Sequence, residues 1–183
     1  MLQIGLQATV EDSPVAVIRH RNETIQKILK QAGDKVDDAT RERLKDIINN
    51  IIDFKELARL ALGKYWKERT EKEKAEFVDV FRKLIRNSSV KKLEIYRADR
   101  IEYKPAVIKG DKATVTTIAY KGRKSVEIVY KMHKVNGQWK VYDMVIDGLS
   151  TARSYRDSFY KQIAKSSYQE MYNKLVKRLE EQT

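Results

Sequence analysis

The chain has 183 residues, of which 42% are apolar and 35% charged, with 7 Gly, 2 Pro and no Cys. That length allows one domain with a sizeable core, and the lack of Cys excludes disulfides, thiolate nucleophiles and Cys-ligated zinc. No run approaches the roughly 20 apolar residues of a membrane span.

The net charge of +12 is uneven: residues 1–60 hold 10 Lys/Arg and 10 Asp/Glu, whereas residues 82–134 hold 15 and 5. The positive field belongs to the middle of the chain, where it suits nucleic acid, anionic lipid or an acidic protein, or simply a solvated surface.

Residues 1–12, MLQIGLQATVED, lack the basic flank and apolar length of a signal peptide. They read as a disordered or vector-derived N-terminus ahead of a single domain over 13–183, in a protein that is cytosolic or has lost a signal. Ser13-Pro14 predicts a helix start, with Val17, Ile18, Ile25, Ile28 and Leu29 as its apolar stripe and Gly33 as its stop. His20 sits between Arg19 and Arg21 on what reads as the polar side. Leu44, Ile47, Ile48, Ile51 and Ile52 predict a second helix.

Asp53 with Glu56 forms a capping-box pattern before a short helix through Leu57, Leu60 and Ala61 that ends at Gly63. Thr70 with Glu73 opens a long helix whose Phe77, Phe81, Leu84 and Ile85 share a face. After about residue 98 the apolar period changes from 3.6 to 2. Four strand-like runs follow, separated by Lys109-Gly110-Asp111, Lys121-Gly122-Arg123 and Asn136-Gly137. Asn-Gly between two such runs is a strong hairpin signal, so the sheet reads as an antiparallel meander. In the third run Val126, Ile128, Tyr130 and Met132 face one way, while Ser125, Glu127, Lys131 and His133 face the other. Ser150 caps a helix carrying Tyr155, Phe159 and Ile163, and Ser167 with Glu170 opens a last one. The fold class is α+β, a curved antiparallel four-stranded meander with helices over one face.

Catalytic sets are sparse. His20 and His133 are the only histidines, no zinc-ligand spacing occurs, and there is neither a Gly-rich phosphate loop nor a G-x-S-x-G. Asp143, amid apolar neighbours, is the best candidate for a base; the bland alternative is an Asp paired with an Arg or a backbone amide. The dispersed tyrosines and the lack of a ribonucleoprotein motif argue against nucleic acid.

Asp53-Phe54, Ala61-Leu62-Gly63, Trp66, Phe77, Phe81, Leu84-Ile85, Leu93 and Tyr96 occur in an order that resembles the MlaC, or toluene-tolerance, family. The likeness is strongest at WKVYDMVIDGLS, 139–150, followed by YRDSF, 155–159. It departs from the family at Ser89, where an aromatic is common, and in its more basic strand region. The resemblance implies a phospholipid-binding carrier whose acyl tails lie in an apolar cavity between sheet and helices. It implies a periplasmic location with the signal removed. Its partners would be an inner-membrane MCE-domain ABC transporter and an outer-membrane lipoprotein–porin complex, in the service of outer-membrane lipid asymmetry. Neither cofactor nor turnover is implied, and the ligand would be a diacyl phospholipid bound by a monomer.

The expected lining residues are Phe54, Leu57, Phe77, Phe81, Leu84 and Ile85 from the helices before the sheet. The strands contribute Ile101, Val126, Ile128, Tyr130, Val141, Met144 and Ile146, and the segment after them Leu149, Tyr155 and Phe159. In the last strand Trp139 and Val141 share one parity and Met144 and Ile146 the other; a bulge near Tyr142-Asp143 would bring all four to one face. The alternative reading is an isomerase- or dehydratase-like enzyme with Asp143 as general base.

Overall fold

The computed structural model describes residues 13–182, so the expectation for residues 1–12 lies outside the described residues. Two helices open the chain, α1 (Pro14–Ala32) and α2 (Asp38–Asn49). The Ser13 hydroxyl accepts from the Ala16 N–H and caps α1, and Gly33 ends it with φ of 64°. Helix α2 stops before Ile51 and Ile52, although their spacing continues its pattern. The backbone of this segment is used elsewhere: Val141 donates to the Ile51 carbonyl and accepts from the Asp53 N–H, so residues 51–53 cover a sheet edge.

Helix α3 (Phe54–Leu62) is capped by Asp53, whose carboxylate accepts from the Glu56 N–H. The Glu56 side chain pairs with Arg59, so the expected box forms through its Asp53 half. A 3-10 turn, Gly63–Trp66, leads to α4 (Glu71–Ser89), where the Thr70–Glu73 box is complete. A second 3-10 stretch, Val90–Arg97, which the sequence did not announce, leads into the sheet.

The strands are β1 (Arg100–Tyr103), β2 (Val107–Lys109), β3 (Lys112–Lys121), β4 (Lys124–Val135), β5 (Gln138–Ile146) and β6 (Leu149–Ser150). The meander is antiparallel, as expected, and open, and it counts six strands instead of four. Two causes account for the difference. β1 and β2 both pair with β3 and are one edge run broken around Pro105, which has no N–H to donate. β6 is a two-residue return beside β5. Asn136 and Gly137 both have positive φ, 50° and 78°, as a type I′ hairpin requires. Helices α5 (Thr151–Lys165) and α6 (Tyr168–Glu180) close the chain.

The buried apolar residues fall into three clusters. Ile18 of α1 is buried against the inner side of the sheet, with Val115, Ile128, Tyr130, Met132, Trp139 and Val141. Helices α3 to α6 have a core of their own, built on Leu57, Phe77, Phe81, Phe159 and Met171. A third cluster joins α1 and α2 to the second 3-10 stretch through Ile25, Leu29, Leu44, Leu93 and Tyr96.

Candidate ligand-binding site

The inner sheet face is made by cross-strand partners. Val115 faces Tyr130, which faces Met144; Thr117 faces Ile128, which faces Ile146. Along β5 the register slips: Met132 is opposite Val141, but Lys131 is opposite Asp143. Tyr142 is therefore the extra residue of a bulge. The slip places Trp139, Val141, Met144 and Ile146 on the same side, opposite Lys134, Met132, Tyr130 and Ile128 respectively.

Asp143, on the other face, is 4% exposed. Its carboxylate accepts from the Ser150 hydroxyl at 2.7 Å and from the Ala152 N–H at 3.0 Å, and lies 3.7 Å from the Lys131 Nζ. Ser150 in turn accepts from the Arg153 N–H. Asp143 thus ties the bulge to the first turn of α5, which favours the structural reading over a free base. His133 is not a merely wet-face residue: its Nε2 lies 2.9 Å from Asp53 Oδ2 and its ring meets Tyr142 edge-on. Asp53 thereby caps α3 with one oxygen and meets β4 with the other.

The expected lining residues separate into groups. Leu57, Phe77, Phe81, Leu84 and Phe159 are buried in the helical core, where Phe81 touches Phe77, Tyr155 and Phe159. They do not share a cluster with Ile128, as sequence reasoning supposed. Phe54, Ile85 and Tyr155 pack half-buried against that core. Burial raises the Tyr155 phenol, an effect that Arg178 and Ser88 partly offset. Ile128, Tyr130 and Val141 are buried at the sheet, while Val126, Met144 and Ile146 are half-buried beside them. Ile101 is half-buried opposite Ala119. Leu149 is 72% exposed: it opens the two-residue strand β6, just before the α5 cap at Ser150, and joins neither apolar cluster. The half-buried apolar positions lie on two clusters that do not merge.

A cleft of about 630 Å³ opens between α1 and α2, lined by Ala16, Val17, His20, Arg21, Thr24, Ile47, Asn50 and Ile51. Val17 and Ile51 also pack against the sheet cluster. None of the expected lining residues borders it. Arg21 is not on the polar side of α1 but 3% exposed, because it falls three residues after Ile18 and four before Ile25, on the apolar stripe. A charged residue at a stripe position was the legible signal. Its guanidinium donates to Asn22 Oδ1, the Ile48 carbonyl and the Tyr96 and Tyr130 hydroxyls. Burial opposes its charge, the phenols of Tyr96 and Tyr130 support it, and the net shift is upward. A smaller groove of about 360 Å³ runs past Trp66 and Val78; its Lys74 and Arg82 are already paired with Glu71 and Asp79.

Among the described residues no group of His, Cys, Asp or Glu could hold a metal, and no helix is long and apolar enough to cross a membrane.

Among curated proteins none matches the chain. A solved structure that does is the phospholipid-binding protein from Ralstonia solanacearum, determined in complex with a phospholipid. It is 21% identical, with a TM-score of 0.73 over 91% of this chain and 94% of that one. At that identity the likeness establishes a shared fold. The MlaC family model matches residues 19–177. With its antiparallel meander, bulged fifth strand and flanking helices, the chain belongs to the MlaC family.

Proposed function

We propose that this protein is a periplasmic phospholipid carrier. It would shuttle lipid between an outer-membrane lipoprotein–porin complex and an inner-membrane MCE-domain ABC transporter, and so help maintain outer-membrane lipid asymmetry. The observation that carries the reading is family membership over residues 19–177; the phospholipid held by the Ralstonia protein supports it. The geometry is compatible: Val126, Met144 and Ile146 on the sheet side and Phe54, Ile85 and Tyr155 on the helical side leave apolar surface only partly covered. Acyl tails laid between these groups would complete both clusters.

The energetics of such a carrier constrain how it works. Two acyl chains carry roughly 28 methylenes, and at ~0.8 kcal/mol each their removal from water is worth on the order of 20 kcal/mol. That approaches the ceiling of non-covalent affinity, so a loaded carrier does not shed lipid into water. Exchange from bilayer to protein swaps one apolar setting for another and is close to neutral. Loading and unloading therefore require docking on a membrane complex. No turnover and no cofactor enter this scheme, and the carrier would act as a monomer. An enzyme with Asp143 as base is the weaker reading, because both of its oxygens already accept hydrogen bonds that hold α5.

The test is extraction of the purified, detergent-free protein with organic solvent, read by mass spectrometry. Near-stoichiometric diacyl phospholipid is expected. Its absence would falsify the carrier reading.

A further inference from the structure

We propose that the α1–α2 cleft is a second site, for a single-chain amphiphile with an anionic head, held by Arg21. The motive is a buried cation with no counter-charge. Arg21 is 3% exposed, and no carboxylate pairs with it among the described residues. Its acceptors are an amide, two phenols and one backbone carbonyl, at 3.1–3.4 Å. Charge-assisted hydrogen bonds are shorter, about 2.7–2.9 Å. The Ile48 carbonyl lies in the last turn of α2, so the negative end of that helix offsets part of the charge. Nη1 carries two N–H groups, and this carbonyl at 3.4 Å is the acceptor it meets.

The cleft supplies what the cage lacks. Val17, Ile47 and Ile51 give it apolar walls, and none of its lining residues is a carboxylate. Lys140 donates to the Asn50 carbonyl at 3.0 Å, adding a cation near one end. In apolar surroundings an anion at Arg21 would be attracted more strongly than in water, and the charge on Arg21 would gain the partner that buried ions require. The guanidinium fork matches a carboxylate or a phosphate equally. At about 630 Å³ the cleft falls within the ~300–1,000 Å³ of sites for one small molecule. It suits one alkyl chain with its head better than a diacyl lipid. A fatty acid and a lysophospholipid share this chemistry.

The site is independent of the phospholipid reading and is tested separately, on full-length protein stripped of lipid. Binding of oleate, oleyl alcohol, oleoyl lysophosphatidate and inorganic phosphate is measured by calorimetry. Oleate is expected to bind at least about tenfold more tightly than the alcohol, as one charge-assisted hydrogen bond would give. That ratio should fall to near one in Arg21→Gln and be partly kept in Arg21→Lys. Because Arg21 variants can disturb the fold, Val17→Trp provides a second test: it fills the cleft and should abolish binding of acid and alcohol alike while the circular dichroism melt is kept. The tighter of oleate and lysophosphatidate names the head group. Equal affinity for oleate and its alcohol in the wild type would overturn the proposal. Oleate binding that survives Val17→Trp, or inorganic phosphate competing as well as either lipid, would do the same. Phospholipid recovered from the purified protein, with no preference for oleate, would leave the carrier reading standing and this one refuted.

Discussion

Asp143 shows how one side chain can be placed by a single extra residue. The bulge at Tyr142 keeps Met144 and Ile146 on the inner face and leaves Asp143 on the other, where it meets α5. Replacing Asp143 with Ala would strand the buried Ala152 N–H and the Ser150 hydroxyl. A loss of about 1–3 kcal/mol is expected, read as a lower urea midpoint with unchanged lipid content. An effect on lipid content without one on stability would return Asp143 to the ligand site. Ile128 and Ile146 face each other across the sheet but differ in burial, since Ile128 is 4% exposed and Ile146 is half-buried. Ile128→Ala should therefore behave as an ordinary core deletion, costing ~2–5 kcal/mol. Ile146→Trp should stay folded, melt like delipidated wild type and carry less phospholipid. Normal lipid content with a large loss of stability would place Ile146 in a closed core and move the tails elsewhere.

Among the elements, the junction after α3 tolerates little change. Gly63 ends the helix with φ of 51°, and a Cβ there would collide with the Tyr160 hydroxyl. That hydroxyl accepts from the Lys64 N–H at 2.8 Å, joining the turn to α5. Gly63→Ala combines left-handed strain with a steric conflict, so it should destabilise by more than ~1 kcal/mol. Its effect should also be smaller in a Tyr160→Phe background, giving a non-additive cycle in thermal melts. Simple additivity would show that the strain at Gly63, and not the contact, sets the cost. The edge of β5 is likewise managed by backbone: residues 51–53 bond to Val141 instead of extending α2, so a helical pattern gives way to an edge that must be covered.

Across the whole molecule, the positive charge of residues 82–134 is carried by the helical segment before the sheet and by the sheet itself, to which β5 adds Lys140. Lys112, His133 and Lys140 form one cross-strand row on the face opposite Ile128. Arg100 and Lys104 pair with Glu102, and Lys121 with Glu94. Lys109, Lys112, Arg123 and Lys124 form no ion pair among the described residues. Exposed charge of this kind steers encounters and is screened over roughly 8–10 Å at physiological salt. Association with an anionic membrane complex should slow as salt rises, while lipid retention should hardly respond, because burial of tails is not screened. Steep lipid loss between low and physiological salt would mean that the head group carries the affinity.

Much of this architecture is local and could be read from the chain. Helix starts at Ser13, Thr70, Ser150 and Ser167, stops at Gly33 and Gly63, and the Asn136-Gly137 hairpin depend on backbone chemistry within a few residues. So does the alternation of Val126, Ile128, Tyr130 and Met132, which fixes the inner face of β4; the apolar residues on both parities of β5 left its phase open, and the register slip settles it. What the sequence could not decide depended on contacts between distant segments. Phe81 and Phe159 are equally apolar whether they face a sheet or one another, and only the packing of α3 to α6 sent them into a separate core. The stripe of α1 marks Arg21 as inward-facing, but the hydroxyls that close around it belong to Tyr96 and Tyr130, 75 and 109 residues away. Local chemistry determined the elements and their faces; the clusters, the cleft between α1 and α2 and the partners of its one arginine were decided by long-range packing, which no periodicity encodes.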